Sequence, residues 1–121
     1  MWRIADTQAE GIPASARLLV TDPVMVDAAI RNIPRGRFIG MAELRRLVAE
    51  EYGADKVCPV TFGMNLRIVA ESAYEQFMQG VPAANVTPVW RVIHPAVPLA
   101  RRCSFPESFL TDRRREEGLD D

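Results

Sequence analysis

Apolar residues along this chain fall into short periodic stretches, each closed by proline or glycine, and those stretches set the expected elements. The first stretch is ambiguous: Trp2 and Ile4 are apolar, and Arg17-Leu18-Leu19-Val20 reads as an edge strand or an extended arm that packs loosely. From Thr21 the pattern sharpens. Asp22 suits the capping position and Pro23 the first turn of a helix, whose apolar side is Val24, Ala28, Ile30 and Ile33, and which stops before Pro34. Pro34-Arg35-Gly36-Arg37 is a turn, and Phe38-Ile39 a very short extended piece. A second helix is expected from Met41 to Tyr52, with Leu44, Leu47 and Val48 at helical spacing and Gly53 as its stop. Asp55-Lys56-Val57 reads as a connection.

A third helix follows Cys58-Pro59, with Phe62, Leu66, Val69, Ala73 and Phe77 on one face and Met78-Gln79-Gly80 at its end. Val81 to Asn85 is a loop. The run Thr87 to His94 is apolar and β-branched around one arginine, so it predicts a buried strand. Val97-Pro98-Leu99 answers it as a shorter strand, with His94-Pro95-Ala96 between them. A last helix is expected from Pro106 to Glu117, with Phe109 and Leu110 inward, Arg113-Arg114-Arg115 toward water, and Gly118 as its stop. The order is therefore helix, helix, helix, hairpin, helix. That is a mainly α fold with a small β hairpin, a winged helix-turn-helix in one domain over residues 1–121, with 1–21 as an arm of unassigned structure.

Composition adds bounds. The chain of 121 residues is 48% hydrophobic and 26% charged, enough to bury a core without disulfides or a metal. Its net charge of −1 gives no global signal for nucleic acid, so any such signal must be local. No apolar run approaches the roughly 20 residues that cross a bilayer, and the N-terminal residues lack the pattern of a signal peptide. Cys58, Cys103 and His94 do not form a zinc set of standard spacing, and no cofactor is implied. Reduced thiols and a cytoplasmic location are the simplest expectation.

A local excess of positive charge surrounds the first turn and the second helix, from Arg31, Arg35, Arg37, Arg45 and Arg46. Phosphate contacts from such residues give salt-dependent affinity without sequence preference. Arg35, Arg37, Arg45 and Arg46, with Thr61, Asn65 and Arg67 on the third helix, are the candidate DNA-binding set. The plainer reading is a solvated face balanced by Asp27, Glu43, Glu50 and Glu51, and Glu71 and Glu75 on the third helix weigh against tight binding of phosphates. Cys58, at a helix start, is either a reactive thiol or a small packing residue. Trp90 with Pro88, Val89 and Arg91 either lines a pocket, the indole stacking on a flat group, or packs in the core while Arg91 bonds helix-end carbonyls. His94 is read as a surface turn residue, and Cys103 has no role.

Several of these segments resemble the C-terminal domain of the alkylguanine-DNA alkyltransferases and the catalytically dead alkyltransferase-like proteins. Ile33-Pro34-Arg35-Gly36-Arg37 resembles the family's Ile-Pro-Lys-Gly-Lys turn, and Glu43-Leu44 falls where the family continues into a helix. Pro88-Val89-Trp90-Arg91-Val92 resembles the active-site run Pro-Cys-His-Arg-Val, and Arg115-Glu116-Glu117-Gly118 resembles the end of the family's last helix. Cys58-Pro59-Val60-Thr61 and Thr87 through Ile93 are similar to a bacterial branch with Cys-Pro-Ile-Thr and Thr-Pro-Tyr-Trp-Arg-Val-Ile at these places. The resemblance implies a DNA-repair fold whose cysteine takes an alkyl group from a flipped base. Here Val89 holds the cysteine position and Trp90 the histidine position, which excludes that transfer: a methyl cannot attack, and indole cannot accept the proton. The family tyrosine that rotates the target phosphate falls near Met41, and the arginine that fills the vacated stack falls near Val60.

The expectation is a non-enzymatic, alkyltransferase-like protein that binds double-stranded DNA, with alkylated or damaged duplexes as its candidate targets, without transferring the alkyl group. The alternative is a protein-interaction or regulatory module with an unidentified protein partner and no membrane. A thiol-based activity at Cys58 is the third reading.

Overall fold

The computed structural model describes residues 2–4 and 17–119. The described chain is mainly helical, with a small three-stranded sheet in the order β1 (Trp2–Ile4), β2 (Arg17–Leu19), β3 (Lys56–Val57). β1 runs antiparallel to β2, and β2 parallel to β3. The helices are α1 (Pro23–Arg31), α2 (Met41–Glu51), α3 (Pro59–Met78), α4 (Pro98–Arg102) and α5 (Glu107–Glu116). Single 3₁₀ turns span Ala83–Asn85 and Val89–Arg91.

α1 begins as its sequence requires. The Asp22 carboxylate accepts the Met25 N–H at 2.9 Å, and Pro23 occupies the first turn. Its buried side is Val26 and Ile30, whereas Val24 points to water. α2 buries Leu44, Val48 and Ala49 and ends where Gly53 takes a φ of +67°. α3 supplies the centre of the core: Phe62, Leu66, Val69, Ala70 and Ala73 lie on one inward face. α1, α4 and the Val89–Arg91 turn pack against it. The core closes on an aromatic group around α5, where the Phe109 ring lies 5.1 Å from Tyr74 and from Phe105, and 5.9 Å from Trp90.

Two expectations about strands are corrected. The hairpin over Thr87–Leu99 is not formed. Its first half is a tight turn in which the Arg91 N–H donates to Pro88 O at 3.0 Å and the Ile93 N–H to Val89 O at 2.9 Å. Those donors are spent locally, so no ladder can run along the segment. Its second half begins α4, because Pro98 suits a first helical position better than a strand interior. Arg17–Leu19, read as an edge strand or an extended arm, is the middle strand of the sheet, and Lys56–Val57, read as a connection, is a strand beside it. Leu19 is fully buried in the middle strand, and Lys56–Val57 pairs beside it, with the Cys58 N–H donating to Leu19 O at 2.9 Å. The arginine run on α5 is also corrected: Arg115 faces water, but Arg114 is only 4% exposed and Arg113 is largely covered, its guanidinium 4.7 Å over the Phe77 ring.

Among the described residues no helix is long and apolar enough to cross a membrane. No group of three or more His, Cys, Asp or Glu side chains among them is placed to hold a metal ion.

Candidate functional site

The segment expected to carry chemistry, Pro88 through Arg91, is organised by a carboxylate at the far end of the chain. Glu117 follows α5, and its side chain is 2% exposed. The Trp90 indole N–H donates to Glu117 Oε2 at 2.8 Å. Arg91 Nε donates to Oε1 at 2.9 Å and its Nη2 to Oε2 at 2.8 Å, a two-pronged pair. The Gly36 backbone N–H donates to Oε1 at 2.9 Å. Gly36 sits at a φ of +82°, a conformation glycine adopts without strain, and this turns its N–H onto the carboxylate. Arg91 Nη1 also donates to Ile33 O at 2.8 Å, and the Ile39 N–H to Arg91 O at 2.8 Å. One carboxylate therefore ties together the turn after α1, the Val89–Arg91 turn and the end of α5. Burial on its own pushes the Glu117 carboxyl up. The hydrogen bonds from Arg91, Gly36 and Trp90, with the Arg91 charge, outweigh it and hold the group at about 2.

This arrangement settles what the neighbouring side chains can do. Val89 is fully buried and Trp90 nearly so, its indole edge-on to Phe109. Pro88 is buried too. Trp90 is engaged on its polar edge and covered on its faces, so it packs rather than stacks on a bound base. Arg91 bonds the Ile33 carbonyl, just past the end of α1, and the Glu117 carboxylate; the wing it was expected to hold is not formed.

The candidate DNA-binding residues are dispersed among several environments. Arg35 donates to Glu116 O at 3.1 Å and lies 3.7 Å from Glu117, while its side chain stays open to water. Arg37 is exposed. Arg45 places its guanidinium 5.8 Å over the Phe62 ring, beside the first turn of α3. Arg46 is tied to Glu43 at 2.6 Å and to Glu50. Its hydrogen bond lowers the Glu43 carboxyl against an opposing desolvation, helped by the charges of Arg46 and Arg37. Arg31 spans Asp27 and the Thr87 hydroxyl, fastening the segment before Pro88 to α1. On α3, Thr61 donates to Cys58 Sγ at 3.4 Å, and Asn65 is buried with its amide donating to Thr21 Oγ1 at 2.8 Å. Asn65 is thus an inward structural group that joins α3 to the end of the sheet. Arg67 is exposed and loosely paired with Glu71 at 3.9 Å. Glu71 is itself engaged, accepting the Ser104 N–H at 2.7 Å and the Ser104 hydroxyl.

Cys58 is half-buried at the head of α3. Cys103 is buried, its thiol pushed up to about 11 by burial and by Glu71 against an opposing Arg67. Sequence reasoning missed Glu117. The only signal was the Glu116-Glu117-Gly118 ending, where the glycine predicts a helix stop that turns the preceding residue back toward the core. Comparison of the chain with protein-family models, with curated proteins and with solved structures returns no match.

Proposed function

We propose that the chain is a non-catalytic, alkyltransferase-like module that binds duplex DNA, with α2 and α3 acting as a helix-turn-helix. The observation that carries this reading is the pairing of Arg45 with the first turn of α3, at 5.8 Å from Phe62. It leaves Arg45, half-buried beside α3, with the exposed Arg37 and Arg67 as the candidate phosphate contacts. Arg67, 3.9 Å from Glu71, offsets part of the repulsion that the Glu71 charge would present to phosphates. The buried valine in place of a nucleophile supports the non-catalytic half of the reading. A band-shift titration on plain duplexes and on duplexes carrying an alkylated guanine tests it. Binding to both, tighter on the alkylated duplex, is expected; no binding to either at low salt overturns it.

A second reading, a protein-interaction module, is favoured by one observation. Val60, Met64 and Ile68 recur every fourth residue on α3 and are 62%, 62% and 52% exposed. Met64→Asp separates the readings. It abolishes capture of a protein partner if the strip docks one, and it weakens DNA binding by added negative charge if the strip faces phosphates.

A further inference from the structure

Seven large hydrophobic side chains among the described residues stand exposed, and four of them, Val60, Met64, Ile68 and Met78, lie on the outward side of α3. A fifth, Val24, is 77% exposed at the head of α1 and lines one groove with Ile68. Apolar surface gathered on a single face in this way marks a docking surface.

The charges on the same side of α3 say what docks there. The Arg67 side chain is half exposed and meets Glu71 only at 3.9 Å, beyond hydrogen-bond range. Glu71 accepts the Ser104 N–H on one oxygen and the Ser104 hydroxyl on the other, and a carboxylate so engaged keeps lone pairs for a further donor. Along the helix these groups are arranged symmetrically about Val69. Arg67 and Glu71 lie two places to either side of it, and Val60 and Met78 lie nine places to either side. Two copies of α3 laid antiparallel, with a two-fold axis level with Val69, therefore set Arg67 of each against Glu71 of the other. The same register sets Val60 of each against Met78 of the other. Ile68, one place from the axis, meets Ile68 of the second copy. The axis crosses both helices, so the α1 flanks of the two copies lie side by side and add both Val24 side chains to the apolar centre. Glu75 falls level with Gly63, which has open space around it. Parallel pairing would instead set Glu71 on Glu71 and Glu75 on Glu75, like charge against like.

We infer that α3 is the interface of a symmetric homodimer, paired antiparallel with α3 of a second copy. The inference rests on the reading of α3 as a protein-docking face and names the partner as the chain itself. Such a dimer covers Arg67, so it and duplex DNA exclude one another on α3. Sedimentation equilibrium of the full chain, from micromolar to submillimolar concentration, tests it. A mass that rises from one chain to two is expected. Ile68→Asp raises the dimer dissociation constant about tenfold or more, because it brings two carboxylates together at the axis. Arg67→Glu sets acid against acid and weakens the dimer, and the double variant Arg67→Glu/Glu71→Arg restores it with the signs exchanged. Melting curves establish that each variant is folded. A chain that stays monomeric over the whole range overturns the inference. So does a dimer that folded Ile68→Asp and Arg67→Glu leave intact. The protein-docking reading survives a monomeric result if Met64→Asp still abolishes capture of a different protein, so the two fail separately.

Discussion

At the scale of single residues, Glu117 does the most to fix the region where chemistry was expected. Four N–H donors on two separate segments end on its two oxygens, from an indole, a guanidinium and a backbone amide. Replacing it by glutamine keeps part of the hydrogen bonding but leaves the Arg91 charge without its partner, at a cost of about 2 kcal/mol near neutral pH. Because the folded carboxyl sits near 2 against an ordinary 4.5, its contribution is complete above about pH 4.5 and fades as the pH falls toward 2. Urea unfolding across that range is expected to show the gap between wild type and Glu117→Gln closing with acid. A constant gap would contradict the assignment. The same buried environment decides a second substitution. Val89→Cys, in a background with Cys58 and Cys103 replaced by serine, restores the sulfur that the family uses, but places it in a fully buried position. Thiol reagents are expected to modify it only at the rate at which the fold opens, with no alkyl acceptance from alkylated DNA. Rapid labelling would show that the segment is open after all.

At the scale of elements, the helices follow from local patterning and the strands do not. Asp22-Pro23, Gly53 and Cys58-Pro59 are start and stop signals that act within one turn, so the limits of α1, α2 and α3 were legible to within a residue or two. Asp22→Ala is accordingly expected to cost about 1 kcal/mol of stability, and Leu66→Ala, in the centre of α3, about 3 kcal/mol. Both are read from thermal or urea unfolding. The segment Thr87–Ile93 misled because burial and β-branching are shared by strands and by buried turns. What separated them was the pair of prolines and the contact with Glu117, which lies 28 positions beyond Val89 and is invisible in a local window. The sheet was illegible for a related reason. Its strands are two or three residues long, and the parallel pairing of Leu19 with Val57 joins segments far apart in sequence. Likewise the buried state of Asn65 depends on Thr21, and that of Arg114 on Phe38, neither of which a helical wheel could supply.

At the scale of the whole molecule, a net charge of −1 is distributed unevenly. Two arginines counted in the basic patch are paired on the surface: Arg31 with Asp27 and the Thr87 hydroxyl, and Arg46 with Glu43 and Glu50. The candidate site was therefore only partly legible, since sequence shows the number of charges but not which of them are paired with a neighbouring carboxylate. What remains beside the α2–α3 pair is Arg37, Arg45 and Arg67, and this smaller set makes the DNA reading quantitative. Three phosphate contacts give a slope of about −3 in a plot of log affinity against log salt concentration. Each Arg→Ala substitution among the three is expected to flatten that slope by about one. The slope itself is the most direct measurement of the central claim. An affinity for plain duplex DNA that falls with salt at about −3, and less steeply in the Arg37→Ala, Arg45→Ala and Arg67→Ala variants, is the predicted result. An affinity indifferent to salt, or a slope unchanged in all three variants, would contradict it.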